Sequence, residues 1–180
     1  MSNSSAGTLP AQLVRHCDLG PLAYMRPDDM VQPFMYVRDE KAQGTYGGNT
    51  TGAGYYDRTL NTVVVNTIPA ASLSSNQITL PPGTYDFEII TPFYSTTAGS
   101  YVFRANLYNV TDSAIVAYGP IGSAAGSDTV CAKCRVTISA TKTFKVQTYC
   151  TAALTNALGY ALNVSGQVEI YSEVRIYKVS

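Results

Sequence analysis

The sequence predicts an all-β chain folded as an antiparallel sandwich of the jelly-roll kind. Three observations carry that expectation. Short apolar stretches alternate with period two along most of the chain, as in Thr84 to Tyr94, where Tyr85, Phe87, Ile89 and Phe93 share one phase while Asp86 and Glu88 take the other. Turn-forming clusters separate these stretches, Pro81-Pro82-Gly83 and Asn109-Val-Thr-Asp112 among them. No stretch sustains the 3.6-residue period of an amphipathic helix, so nothing suggests βαβ units.

Taken in order, residues 1–32 differ from the rest: a small polar start, then AQLVRHCDLGPLAYMRPDDMVQ, with three prolines counting Pro10 and no steady period. Leu9, Leu13, Val14, Leu19, Leu22, Tyr24, Met25 and Met30 are too many apolar groups for a solvated linker, so the segment is expected to be an attachment arm that buries them on a partner. The domain proper is expected over 33–180. Phe34 to Glu40 reads as its first strand, and the glycine-rich GTYGGNTTGAG that follows lacks the Gly-Lys-Ser/Thr of a phosphate cradle, so its glycines are expected to let backbone pass close to neighbouring strands. Arg58 to Ile68, apolar on both phases, reads as an interior strand, and Asn76 to Leu80 as the next.

After Thr84 to Tyr94, a loop at Ser95 to Ser100 leads into Tyr101 to Val110 and a short strand at Ala114 to Tyr118. Gly119 to Asp128 reads as a long small-residue loop. Arg135 to Ala140 and Phe144 to Cys150 are expected to pair as a hairpin, 151–163 to be a loop, and Gln167 to Val179 to be the last strand. In that strand Val168, Ile170, Val174 and Ile176 share one phase, opposite Tyr171, Glu173, Arg175 and Tyr177.

Of 180 residues, twelve are basic and twelve acidic, which leaves no electrostatic footprint for nucleic acid or an anionic membrane. No apolar run approaches the roughly 20 residues of a membrane span. The start lacks the basic and apolar segments of a signal peptide, so synthesis in the cytoplasm is expected and the Asn-x-Ser/Thr sequons at Asn3, Asn49, Asn109 and Asn163 are expected to be unused.

The candidate sites point away from catalysis and cofactors. His16 is the sole histidine and sits in the arm beside prolines, which leaves no base for a serine triad; the adjacent pairs Asp28-Asp29 and Asp39-Glu40 would splay to opposite sides of an extended chain. Cys17, Cys131, Cys134 and Cys150 contain only one close pair, too few for a structural zinc site. The expected hairpin would set Cys134 opposite Cys150, either as two buried thiols or as a disulfide formed after lysis. Tyrosine is in surplus, fourteen with no tryptophan, and Tyr108, Tyr149, Tyr171 and Tyr177 lie off the expected core phase. Aromatic groups on a second strand face call for a second cover, so these four are expected at a subunit interface.

The order RTLNTVVVNTI, SLSSNQITLPPGTYDFE, RANLYNVTD and GQVEIYSEVRIYKV, preceded by the leader PFMYVRDEKAQGTYGG, resembles the jelly-roll domain of complement and tumour-necrosis-factor type found in structural proteins of tailed bacteriophages. The resemblance covers roughly residues 33–180. It implies a homotrimer about a threefold axis and a place in the virion, with the arm docked to other capsid or tail proteins. Two tasks fit that context: a surface decoration or head-fibre protein, and a tail-fibre or tip adhesin for a host glycan or protein whose contacts come from the loops at Ser95 to Ser100 and Pro120 to Asp128.

Overall fold

The structure is a computed structural model that describes residues 32–96, 101–123 and 125–180. The expected arm residues, and Cys17 with them, lie outside the described residues. Thirteen strands form among the described ones: β1 Phe34–Lys41, β2 Thr50–Thr51, β3 Gly54–Asp57, β4 Thr62–Asn66, β5 Ser72–Ser74, β6 Gln77–Leu80, β7 Gly83–Ser95, β8 Phe103–Asn109, β9 Ala114–Gly122, β10 Gly126–Ile138, β11 Lys142–Cys150, β12 Ala153–Leu154 and β13 Glu169–Lys178. Two antiparallel sheets result, one in the order β10-β7-β13-β1-β4 and the other β5-β6-β11-β8-β9, with β3 also on β11 and a small β12-β2 pair beside them.

The sandwich follows from the alternation in the sequence. From β7, Tyr85, Phe87, Ile89 and Phe93 all point inward and are at most 1% exposed. Phe103, Leu107, Phe144 and Val146 meet them from the other sheet. Phe93 stacks on Phe103 at 4.2 Å, and Phe87 meets Phe144 at 5.6 Å. Each such ring, fully buried, contributes about 1.5–3 kcal/mol. Pro81-Pro82-Gly83 carries the chain from β6 in one sheet to β7 in the other. Gly83 has φ +155°, and a Cβ there would stand 2.7 Å from the Ser180 carbonyl oxygen.

Four expectations are corrected. Arg58 to Ile68 is not an interior strand: only Thr62–Asn66 is extended, it lies at a sheet edge, and Val63 and Val64 are exposed. Residues 119–128 are not a long loop, because β9 continues to Gly122 and β10 begins at Gly126. The small residues serve close packing instead. A Cβ on Gly119 would be 2.0 Å from the Cys131 carbonyl oxygen, and one on Gly122 would be 2.5 Å from a Val130 methyl, so β9 can lie against β10 only without side chains there.

The third correction concerns the hairpin. β10 pairs with β7 and β11 with β8, so residues 139–141 cross between sheets and β10 and β11 do not pair with each other. Cys134 is opposite Phe87 and Cys150 opposite Phe103, whose ring stacks on Phe93. The two sulfurs therefore sit at levels of β7 six residues apart, about 20 Å at 3.3 Å per residue. No disulfide spans that distance, and Cys131, Cys134 and Cys150 are free thiols. Burial pushes the Cys134 thiol up to about 11, further from the reactive thiolate.

The fourth is the phase of β13. Against β1, Arg38 pairs with Glu173 and Glu40 with Ile170, so Tyr171 and Ser172 both oppose Asp39 in a β-bulge. The extra residue inverts the alternation. Val174 and Ile176 point into the core as expected, but Val168 and Ile170 are turned to solvent and Tyr171 is buried.

Candidate assembly interface

The bulge brings a polar cluster into one end of the sandwich. Arg58, 2% exposed, donates from Nε to Ser172 Oγ at 2.8 Å and from Nη2 to the Leu158 carbonyl at 2.6 Å. Burial lowers its pKa to about 10, against the favourable field of Asp39. Asp39 is itself buried, which raises its pKa, while Lys41 Nζ at 3.1 Å opposes the rise. Two hydrogen bonds and the nearby Asp39 carboxylate offset part of the cost of desolvating this charge, while its Nη1 has no partner among the described residues.

What the cluster holds is the irregular segment 155–168. Leu158 N donates to the Gly48 carbonyl at 3.0 Å, and Gly47 N to the Gly159 carbonyl at 2.9 Å. A Cβ on Gly47 would be 2.3 Å from the Leu158 carbonyl oxygen, so the glycine-rich loop does permit the close backbone approach expected of it. Glu169 grips the far side of the segment, accepting from the amides of Gly44, Leu162 and Asn163 at 3.0, 3.0 and 2.8 Å, and these bonds depress its pKa. Tyr171 closes the cluster with its hydroxyl on the Thr45 carbonyl at 2.7 Å; burial pushes its pKa up to about 12.

Held in this way, the segment presents Tyr160 and Leu162 outward. Tyr160 contacts Tyr46 edge-on at 5.1 Å and Tyr94 at 4.5 Å. Beside it Leu162 is 75% exposed, Val168 52% and Ile170 41%. With Pro92 these side chains line a shallow hollow of about 230 Å³ over the ends of β7 and β13. Ser127 and Glu169 also line it, and the exposed apolar groups around them make this the candidate contact surface.

The remainder of the same sheet face mixes ion pairs with aromatic rings. Arg135 forks onto Asp86 through two bonds of 2.7 Å, and Lys133 meets Glu88 at 2.9 Å. Arg175 lies over Tyr36 at 5.2 Å, and Phe34 stacks on Tyr177 at 4.9 Å. The exposed ion pairs contribute little to stability singly. They do make the face a patterned one, aliphatic at one end and mixed charged and aromatic at the other.

The four tyrosines expected at one interface are not brought together. Tyr177 lies on this face, Tyr171 is buried beneath the segment 155–168, and Tyr108 and Tyr149 lie on the outer face of the opposite sheet. Sequence reasoning missed Tyr160 and Leu162 because they sit in a segment without periodicity, and Val168 and Ile170 because the bulge was not foreseen. Among the described residues, no three His, Cys, Asp or Glu side chains are grouped as a metal site requires.

No family model and no curated protein matches the chain. Solved structures do. Murine APRIL is similar over 83% of this chain and 100% of its own, with TM-scores of 0.55 at pH 5.0 and 0.52 at pH 8.5 and identities of 7% and 8%. The globular domain of zebrafish complement 1qA is aligned over 83% of this chain and 98% of its own at 15% identity, with a TM-score of 0.42. The fold is thus an all-β antiparallel jelly roll of the tumour-necrosis-factor-like kind.

Proposed function

We propose that this chain is a non-enzymatic structural component of a tailed-phage virion, a homotrimeric surface decoration or head-fibre protein whose residues 1–32 attach it to the particle. The observation that carries the reading is the apolar hollow of Tyr160, Leu162, Val168, Ile170 and Pro92 on one end of the β10-β7-β13-β1-β4 face. It is rich in aliphatic groups, with Pro92 and Ile170 on strands β7 and β13 and the rest on the segment 155–168 pinned over them, the composition of a protein–protein contact. A second copy of the chain is the occupant in this reading. Closed cyclic symmetry then hides the same patch on every copy. The virion context rests on the sequence resemblance over roughly 33–180, and the jelly-roll fold accords with it.

The test has two parts. Sedimentation equilibrium of the full chain is expected to give a trimer, and Ile170→Lys a monomer that keeps its β-sheet circular dichroism. A monomeric wild-type chain overturns the assembly reading. Immunogold labelling against residues 101–180 on intact particles is expected over the capsid shell. Label at the tail tip instead transfers the role to host recognition, and particles without label overturn the virion reading.

A further inference from the structure

The outer face of the other sheet differs chemically from the apolar hollow. Its residues fall in rows set by strand register. Tyr55, Tyr149 and Arg104 stand side by side across β3, β11 and β8, and Asp57, Gln147, Asn106 and Tyr118 form the neighbouring row, which extends to β9. Tyr55 and Tyr118 are 46% and 55% exposed. Tyr55 meets Tyr149 edge-on at 5.0 Å, and the Arg104 guanidinium lies 4.3 Å over the Tyr118 ring.

Between the rings lie polar groups with unmet capacity. Asn106 is fully buried and its Oδ1 has no partner; Arg104 Nε, two residues back on the same face, also has none. Turning the Asn106 amide over does not help, since its Nδ2 already donates weakly, at 3.4 Å, to the Arg104 carbonyl and an oxygen in its place would be repelled. An orphan donor and an orphan acceptor two residues apart on one strand face fit one group that can both accept and donate. A hydroxyl is such a group. On this face Asp57 accepts from Lys145 and Gln147, each at 2.8 Å, while the Arg104 guanidinium stacks on Tyr118 without a carboxylate partner among the described residues.

We propose that this face binds a hydroxyl-rich carbohydrate. A pyranose ring lies flat on Tyr149 with the edge-on Tyr55 ring against its side, and as Tyr118 swings off the Arg104 guanidinium a sugar hydroxyl accepts from Arg104 Nε and donates to Asn106 Oδ1. Tyrosine rings supply broad apolar contact at little entropic cost, the buried amide supplies direction, and aliphatic side chains like those of the apolar hollow would offer a sugar no hydrogen bonds. The site is on the opposite side of the sandwich from the proposed subunit contact, so either can fail without the other.

The test is a titration of the full chain with cellotetraose, maltotetraose and chitotetraose, read by saturation-transfer NMR and by the Asn106 side-chain amide shift. At least one sugar is expected to bind in the millimolar range typical of a shallow open site. Tyr149→Ala and Tyr55→Ala are each expected to weaken it about tenfold, with Val63→Ala, exposed on the edge strand β4, unchanged and native circular dichroism in all three. Absence of transfer and of an Asn106 shift with all three sugars overturns the proposal, as water alone then satisfies the orphan pair. Binding that survives both tyrosine substitutions overturns it too.

Discussion

Gly159 lies directly beneath the ring of Tyr171: a Cβ added at residue 159 would be 2.1 Å from Tyr171 Cδ1, and its φ of +139° is one that only glycine adopts without strain. The segment bearing Tyr160 and Leu162 is thereby pressed onto a ring that the β13 bulge turned inward. Gly159→Ala must displace either the ring, with its bond to the Thr45 carbonyl, or the segment. A loss of about 3 kcal/mol is expected, visible as a lower urea midpoint.

Arg58 and Asp39 couple the segment to the sheet. Arg58→Met keeps the volume but removes the bonds to Ser172 and the Leu158 carbonyl and leaves Asp39 with Lys41 alone. A cost of about 3 kcal/mol is expected. Burial already holds the Asp39 pKa above its ordinary value, and loss of the Arg58 field raises it further. A carboxyl raised in the folded state binds more protons folded than unfolded, so its contribution falls as pH rises from the ordinary aspartate value through the raised one. Urea midpoints across that interval should decline more steeply in the variant than in the wild type.

Glu169 acts with the opposite sign. Three backbone amides depress its folded pKa, so the stability it contributes is fully present above the ordinary glutamate value and is lost as pH falls through the depressed one. Glu169→Gln should lower the unfolding temperature at neutral pH. The gap to wild type should close in acid, below the depressed value. A gap independent of pH would assign the effect to shape and not to charge.

The cysteines offer a check on topology. Cys150 is fully buried, Cys134 has a thiol raised to about 11, and the two sit at different levels of the core. Mass mapping of the non-reduced chain is expected to recover both as free thiols. Cys150 should alkylate only on global unfolding, and a Cys134–Cys150 peptide would contradict the strand order.

Much of the fold was legible because burial repeats with the strand period. The inward set of β7 and the turn at Pro81-Pro82-Gly83 follow from local alternation and turn chemistry, and so does the expectation of an antiparallel sandwich without helices. Those signals depend on neighbours a few residues apart. The candidate interface was mostly illegible. Tyr171 was read as outward and Ile170 as core, the reverse of their places, because one residue inserted opposite Asp39 inverts every side chain beyond it and leaves no local mark.

The sequence by itself determined which residues alternate along β7 and that Pro81-Pro82-Gly83 turns the chain between two strands. Only the tertiary structure decided the partners of those strands: that β10 lies on β7 and β11 on β8 and not on each other, which separates Cys134 from Cys150 and puts Tyr149 and Tyr177 on opposite faces. Pairing joins residues far apart in the chain, and its register is set by how two whole faces bury together. A strand's own residues state that it has two faces; which neighbour covers each is settled by the rest of the core.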